Sequence, residues 1–345
     1  MNNKKLIKIA LIVLGSLAVL VALAVVGAIA YFKLPVADYY EASEGRFVIP
    51  DIKNDYVPQG MHYCADEQVF LLSGYTASGK PSPVYVMDAT GNLSATRPLQ
   101  KVTLQKMDGT PFTEHGGGIA RYEDFVYVAG DDARLHIFSF AEIMAADFGA
   151  AVRAKGEFSL RASNDDYLIP AFVTVYKNTL VVGEFYREKE YPTPESHHMT
   201  TAAGDKHHAL ALRFTLCESA EYGIVPNPTL AYSLPAQVQG MTFSEDGERV
   251  YLSTSWGLSF SHILEYDMQK LQKQGDISML GSSVTLYAMD SAALIKDYKI
   301  APMSEEMAMV DGRLYVLSES ASDKYIFGRL IGGKYCYATD LEKMK

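Results

Sequence analysis

The sequence predicts an all-β chain folded as a five-bladed β-propeller, closed by an N-terminal strand and preceded by one transmembrane helix. Three observations predict it. An uncharged apolar run lies near the N-terminus, a set of short strand-like segments recurs roughly every 53 to 69 residues, and the last repeat is one strand short.

The N-terminal element comes first. Residues 1–8 carry Lys4, Lys5 and Lys8 and no acid, and Ile9 to Tyr31 then runs without a charge. At about 1.5 Å per residue such a run crosses a hydrocarbon core of roughly 30 Å. Lysines placed before it put the N-terminus in the cytoplasm and the remainder outside. The expected division is a cytoplasmic basic segment 1–8, an anchor 9–32, a linker 33–44 and a propeller 45–345. Ala28-Ile29-Ala30 resembles a cleavage site, and the chain is secreted if it is cut there; the apolar run exceeds the usual h-region of about 7–15 residues, which favours a single-pass anchor in the cell membrane.

Charge narrows the partners. All 41 acids lie beyond the anchor, while four of the 31 Lys and Arg lie in it or at its edge. The exterior therefore holds 27 basic against 41 acidic residues, a net −14. Such a surface disfavours nucleic acid and tolerates cations. The three cysteines, Cys64, Cys217 and Cys336, are too scattered for a disulfide framework or zinc ribbon and are expected as buried free thiols.

The repeats follow in chain order. The first runs from Gln59-Gly60-Met61 through Val69–Tyr75 and Pro83–Asp88 to Lys101–Leu104. The same order returns from Gln239-Gly240-Met241 through Val250–Thr254 to His262–Asp267. Weaker copies start at Gly117-Gly118-Ile119, Pro170-Ala171-Phe172 and Glu305-Glu306-Met307. Short strands bounded by turn residues and repeated at this period are the pattern of propeller blades. Phe140–Phe148 is the best short helix. The last repeat ends in Lys334–Ala338, and Arg46–Pro50 supplies its missing outer strand, sealing the ring and removing its open edges. A sixth blade within the long third repeat is the alternative.

In a four-stranded blade, strand 1 starts and strand 2 ends share one edge. That geometry gathers Gln59, Tyr75, His115, Asp131, Glu184, Gln239, Trp256, Glu305, Glu306 and Glu319 onto a polar funnel rim. Convergent polar groups in a concave place mark a ligand site. The loop from Arg187 to Lys206 lies on the same face with His197-His198, and His207-His208 follows it. Adjacent histidines on an extended chain point apart, so a solvated lid is expected there rather than a metal centre. His115-Gly116-Gly117-Gly118 has no G-x-S-x-G partner anywhere in the chain, which excludes the serine-esterase arrangement.

Gln239-Gly240-Met241 with Ser253-Thr254-Ser255-Trp256-Gly257 resembles the blade motif of the plant and bacterial type of glutaminyl cyclotransferase, a five-bladed propeller; Gln59-Gly60-Met61 with Ser73-Gly74-Tyr75 is a looser match. That family places a glutamate before the Ser-Thr-Gly-like turn, where this chain has Leu252 and Leu72. The chain is also similar to exported bacterial propellers of unassigned function with the same Q-G-M and H-G-G-G starts. The resemblance implies the fold and leaves chemistry to the site.

Two functions are therefore expected. One is a non-catalytic module that binds a glycan, peptide or partner protein in the funnel, stacking it on Trp256 and Tyr75. The other is an extracellular enzyme, a carboxylate-based hydrolase or cyclotransferase-like catalyst, that uses two funnel acids. The cofactor is left open, with a bound cation such as calcium as the candidate, and no catalytic residue is singled out.

Overall fold

The computed structural model describes residues 3–90, 97–325, 328 and 333–345, so Met1 and Asn2 of the basic segment lie outside it. One helix, Asn3–Lys33, opens the chain. It is long and apolar enough to cross a membrane, with a mean hydropathy of 3.1 in its most apolar window. A short turn and the helix Ala37–Ala42 lead into the strands.

Five blades follow. From the inside outward, the first is Tyr56–Cys64, Val69–Thr76, Pro83–Asp88 and Gln100–Gln105. The second is Ile119–Tyr122, Phe125–Ala129, Arg134–Ser139 and Gly156–Ser159. The third is Phe172–Tyr176, Thr179–Gly183, Ala209–Thr215 and Leu230–Leu234. The fourth is Val238–Phe243, Arg249–Thr254, Ser261–Asp267 and Leu294–Ile300. The fifth is Ser304–Val310, Arg313–Ser318 and Tyr335–Thr339, completed by Ser43–Val48 from the start of the chain. That closing strand pairs antiparallel with the third strand, Val48 opposite Tyr335.

The core is distributed between the blades. Successive side chains on a strand point to opposite faces, so Phe70 and Leu72 pack toward the fifth blade while Leu71 packs toward the second. Repeating this around the ring yields five apolar clusters, one for each blade interface. The fifth cluster also takes in Val36 and Tyr39, which ties the segment after the apolar helix to the domain.

Near the axis the inner strands must almost touch. A side chain on Gly118 would come within 2.4 Å of the Val173 nitrogen, and one on Gly60 within 2.6 Å of the Ile119 nitrogen. Glycine is the residue that allows this approach. Three inner strands also break register here, between Pro58 and Met61, Val238 and Gly240, and Ser304 and Met307. Such bulges bend a strand and re-aim its side chains, a common arrangement beside binding sites.

The third repeat owes its length to the loop between its second and third strands, which holds the 3-10 turn Glu195–His197 and the small pair Met199–Thr200 and Lys206–His207. Among the described residues there is no sixth blade. Two other repeats supply surplus strands: the hairpin Gln272–Met279 and Ser282–Ala288 of the fourth reaches back and extends the third blade by parallel pairing with Leu230–Ser233, and Ala151–Arg153 of the second extends the first blade by parallel pairing with Thr103–Gln105. The expected helix is present as Phe140–Ala145, with Ser139 capping its start through the Glu142 N–H. All three cysteines are free, but Cys217 is exposed rather than buried, because it sits in a turn beside Ser219.

Candidate ligand site

Blade geometry brings strand 1 starts and strand 2 ends to one face, and that face holds a cavity of about 560 Å³. Six of the ten expected residues line it: Gln59, His115, Asp131, Glu184, Gln239 and Trp256. The cavity lies off the axis, over the second, third and fourth blades, because the long loop of the third blade walls it. Phe185, Tyr191, Pro192 and Pro194 come from that loop, and Tyr167, Ile169 and Pro170 from the approach to the third blade. The rest of the lining includes the amides of Gln59 and Gln239, His115, and the acids Asp131 and Glu184.

The apolar wall is an aromatic cluster. The rings of Phe185 and Tyr191 lie 6.0 and 6.1 Å from that of Trp256, and the Arg187 guanidinium sits 4.0 Å from the same indole. Arg187 is in turn paired with Glu190 at 2.7 Å, which orients it. A ring stacked beneath a guanidinium and flanked by two aromatics offers a flat, rigid face to a ligand.

The polar side is pre-arranged. Asp131 accepts from the His115 ring nitrogen at 2.9 Å and from its backbone N–H at 3.1 Å. This hydrogen bond raises the His115 pKa above the usual histidine range. Burial alone would raise Asp131, but His115 holds it below the ordinary carboxylate range. Glu184 is buried, bonded to His197 Nδ1 at 2.9 Å and to the Leu210 N–H at 3.0 Å. Burial pushes its carboxyl upward, and His197 opposes that shift. His197 is itself fully buried, so the expected solvated lid is wrong at this residue; the loop is anchored where its histidine meets Glu184.

The other four expected residues lie toward the axis and the first and fifth blades. The Tyr75 ring is 4.7 Å from that of His115, and its hydroxyl accepts from Lys324. Glu319 accepts from Gln59 Nε2 at 3.1 Å and from the Tyr325 hydroxyl at 2.8 Å, and so adjoins the cavity through Gln59. Burial pushes the Glu319 carboxyl up to about 7. Glu305 is fully buried, where Glu319 is half-buried, and is raised strongly, first by burial and then by the charges of Glu319 and Glu306. Glu306 fills the bore at the position where three other blades carry Gly60, Gly118 and Gly240. Its Oε1 accepts the Met241 N–H at 3.0 Å, and burial raises its pKa as well. Glu306 thus joins the fifth inner strand to the fourth, a structural task.

Sequence reasoning did not find the aromatic wall or the Lys324–Tyr325 pair. Tyr191-Pro192-Thr193-Pro194 carried a signal, since a stiff aromatic and proline run within a long loop is suited to forming a wall. Nothing in the sequence places Tyr325 beside Glu319.

No family model matches this chain, and no curated protein matches it. Among solved structures it is similar to the glutaminyl cyclase of Myxococcus xanthus, at 10% identity over 86% of this chain and 92% of that one, with a TM-score of 0.41. It is also similar to a chain of a nidogen/laminin complex, at 8% identity over 76% and 73% and a TM-score of 0.40. A third is the Cps50 (Swd1) β-propeller domain of Myceliophteria thermophila, at 9% identity over 76% and 93% and a TM-score of 0.35. Likeness this distant carries no functional argument. The fold rests on the five blades themselves, and function must be argued from the cavity.

Proposed function

We propose that this chain is a membrane-anchored, extracytoplasmic propeller that binds a short segment of peptide or glycan on its funnel face. The observation that carries this reading is the cavity of about 560 Å³, lined by Phe185, Tyr191 and Trp256 together with Gln59, Gln239, His115 and Asp131. Pockets of roughly 300–1,000 Å³ suit small ligands, and mixed aromatic and amide linings suit peptide or sugar. The acidic exterior favours neutral or cationic ligands over anions.

The anchor supports a placement for the funnel. The rings of Tyr31 and Phe32, at the end of the apolar helix, lie 6.3 and 6.4 Å from that of Phe260. Phe260 closes the loop that starts at Trp256, on the funnel side of the fourth blade. A helix leaving from this side turns the funnel mouth toward the bilayer, so the ligand is taken from the membrane surface.

A second reading is favoured by one observation. Glu319, with a pKa raised to about 7 and hydrogen bonds from Gln59 and Tyr325, has the character of a general acid or base. One experiment separates the two. Full-length protein in detergent is incubated with panels of short peptides and oligosaccharides, while melting temperature and product masses are followed. Binding alone predicts a thermal shift that Trp256→Ala removes, with ligand mass unchanged. Catalysis predicts a new product mass that Glu319→Gln removes. A panel member that shifts wild type and Trp256→Ala equally would refute the site.

A further inference from the structure

The second blade contains a buried histidine that the ligand cavity does not use. His136 lies on the third strand and is 1% exposed, and neither ring nitrogen has a hydrogen-bond partner among the described residues. An unpaired polar group in a dry site is costly, and its presence calls for a missing partner. Two acids converge on the ring. Its Nε2 is 3.9 Å from Glu114 Oε2, and its Nδ1 is 3.5 Å from Glu157 Oε1. The turn between the second and third strands adds Asp132. Arg134 occupies Asp132 Oδ2 at 2.8 Å, which leaves Oδ1 buried and unpaired.

We propose that Glu114, Asp132 and His136 form a binding site for a first-row divalent metal ion, zinc above all. One ligand atom from each lies within 4.8 Å of the other two. Zinc bonds of about 2.0–2.1 Å to nitrogen and oxygen require ligand atoms about 3.3 Å apart in a tetrahedron, so side-chain rotation of roughly an ångström completes the site, with water as the fourth ligand. Mixed imidazole and carboxylate donors suit zinc or manganese better than calcium.

Two further features fit a metal. A ligating histidine normally gives its other ring N–H to a carboxylate, and Glu157 Oε1, 3.5 Å from Nδ1, is near enough to take that role after a small side-chain shift. Gly130 leaves the necessary space, since a side chain there would come within 2.6 Å of Glu114 Oε2 and 3.1 Å of His136 Nε2. Gly130 also lines the ligand cavity. The ion therefore lies behind the cavity wall and clamps the loop bearing His115 to the turn bearing Asp131, whose N–H already donates to Glu114 Oε2 at 2.6 Å. Lys106, paired with Glu114, and Arg134 offset the remaining negative charge.

The test is equilibrium dialysis of the full-length protein in detergent against zinc chloride, with bound metal counted by mass spectrometry and melting temperature measured alongside. One zinc per chain is expected, with a rise in melting temperature. His136→Gln and Asp132→Asn should each weaken binding at least about 100-fold, while His262→Gln, at a half-buried histidine of the fourth blade paired with Asp297, should leave it unchanged. Should His136→Gln not fold, Asp132→Asn decides. Zinc retained by the folded variants means an adventitious ion only and overturns the site. So does the absence of stoichiometric zinc, or calcium binding that is indifferent to His136.

Discussion

The raised carboxyl of Glu319 makes stability depend on pH in a calculable way. Its folded pKa of about 7 stands against an ordinary value of 4.5. Between those values the folded chain holds a proton that the unfolded chain has released. The contribution is therefore fully present below pH 4.5 and is lost as pH rises to about 7. A gap of about 2.5 units at 1.36 kcal/mol each amounts to about 3 kcal/mol at most, since the carboxylate is only partly buried. Glu305, raised in the same direction by burial, adds to the loss. Glu319→Gln cannot ionise and escapes its share. With an unfolding entropy of about 2.1 cal/mol/K per residue over about 300 residues, 3 kcal/mol corresponds to about 5 °C. Melting of wild type and Glu319→Gln, followed by near-UV circular dichroism in detergent, should nearly coincide at pH 4 and diverge by up to about 5 °C at pH 8, the variant being more stable. Equal melting at both pH values, or a gain confined to pH 4, would refute the reasoning.

Other expected outcomes test the frame around the site. Gly118→Ala places a side chain 2.4 Å from the Val173 nitrogen, a backbone atom of the next blade that cannot rotate away. A loss of about 3 kcal/mol or more is expected by denaturant titration, above the usual range of about 1–3 for overpacking. Phe47, 1% exposed and packed 5.5 Å from Phe70, belongs to the closing strand. Phe47→Ala should cost about 3–5 kcal/mol if the ring is closed there, and a surface-like cost below about 0.5 would contradict closure. Trp256 is the only tryptophan. If the funnel faces the bilayer, its emission in nanodiscs should be quenched by lipids brominated near the headgroup, whereas no quenching would place the funnel away from the membrane.

The architecture was legible because it is written repeatedly. Gln59-Gly60-Met61 and Gln239-Gly240-Met241 open two blades with the same bulge, and the segment after residue 45 was recognisable as the strand the last repeat lacked. The hairpin of residues 272–288 was not legible, since its parallel pairing joins a different repeat from the one that encodes it. At the site, edge geometry placed six of ten rim residues on one cavity. It could not separate Glu306, which belongs to the bore, from Glu305 beside it, because adjacent residues at a bulge do not alternate regularly. The aromatic wall was missed because a long loop has no periodicity to read. His136 was passed over because one histidine in a strand carries no spacing signal; only the fold brings Glu114 and Asp132 to it.

The central claim is that the cavity beside Trp256 takes a ligand. Its most direct test is Trp256 emission in the full-length protein, titrated with short peptides and oligosaccharides. A saturable shift in emission is expected with one of these classes, accompanied by a rise of about 4 °C in melting temperature at 100 times the dissociation constant. A ligand that stabilises the protein while leaving Trp256 emission unchanged would place binding elsewhere and contradict the account.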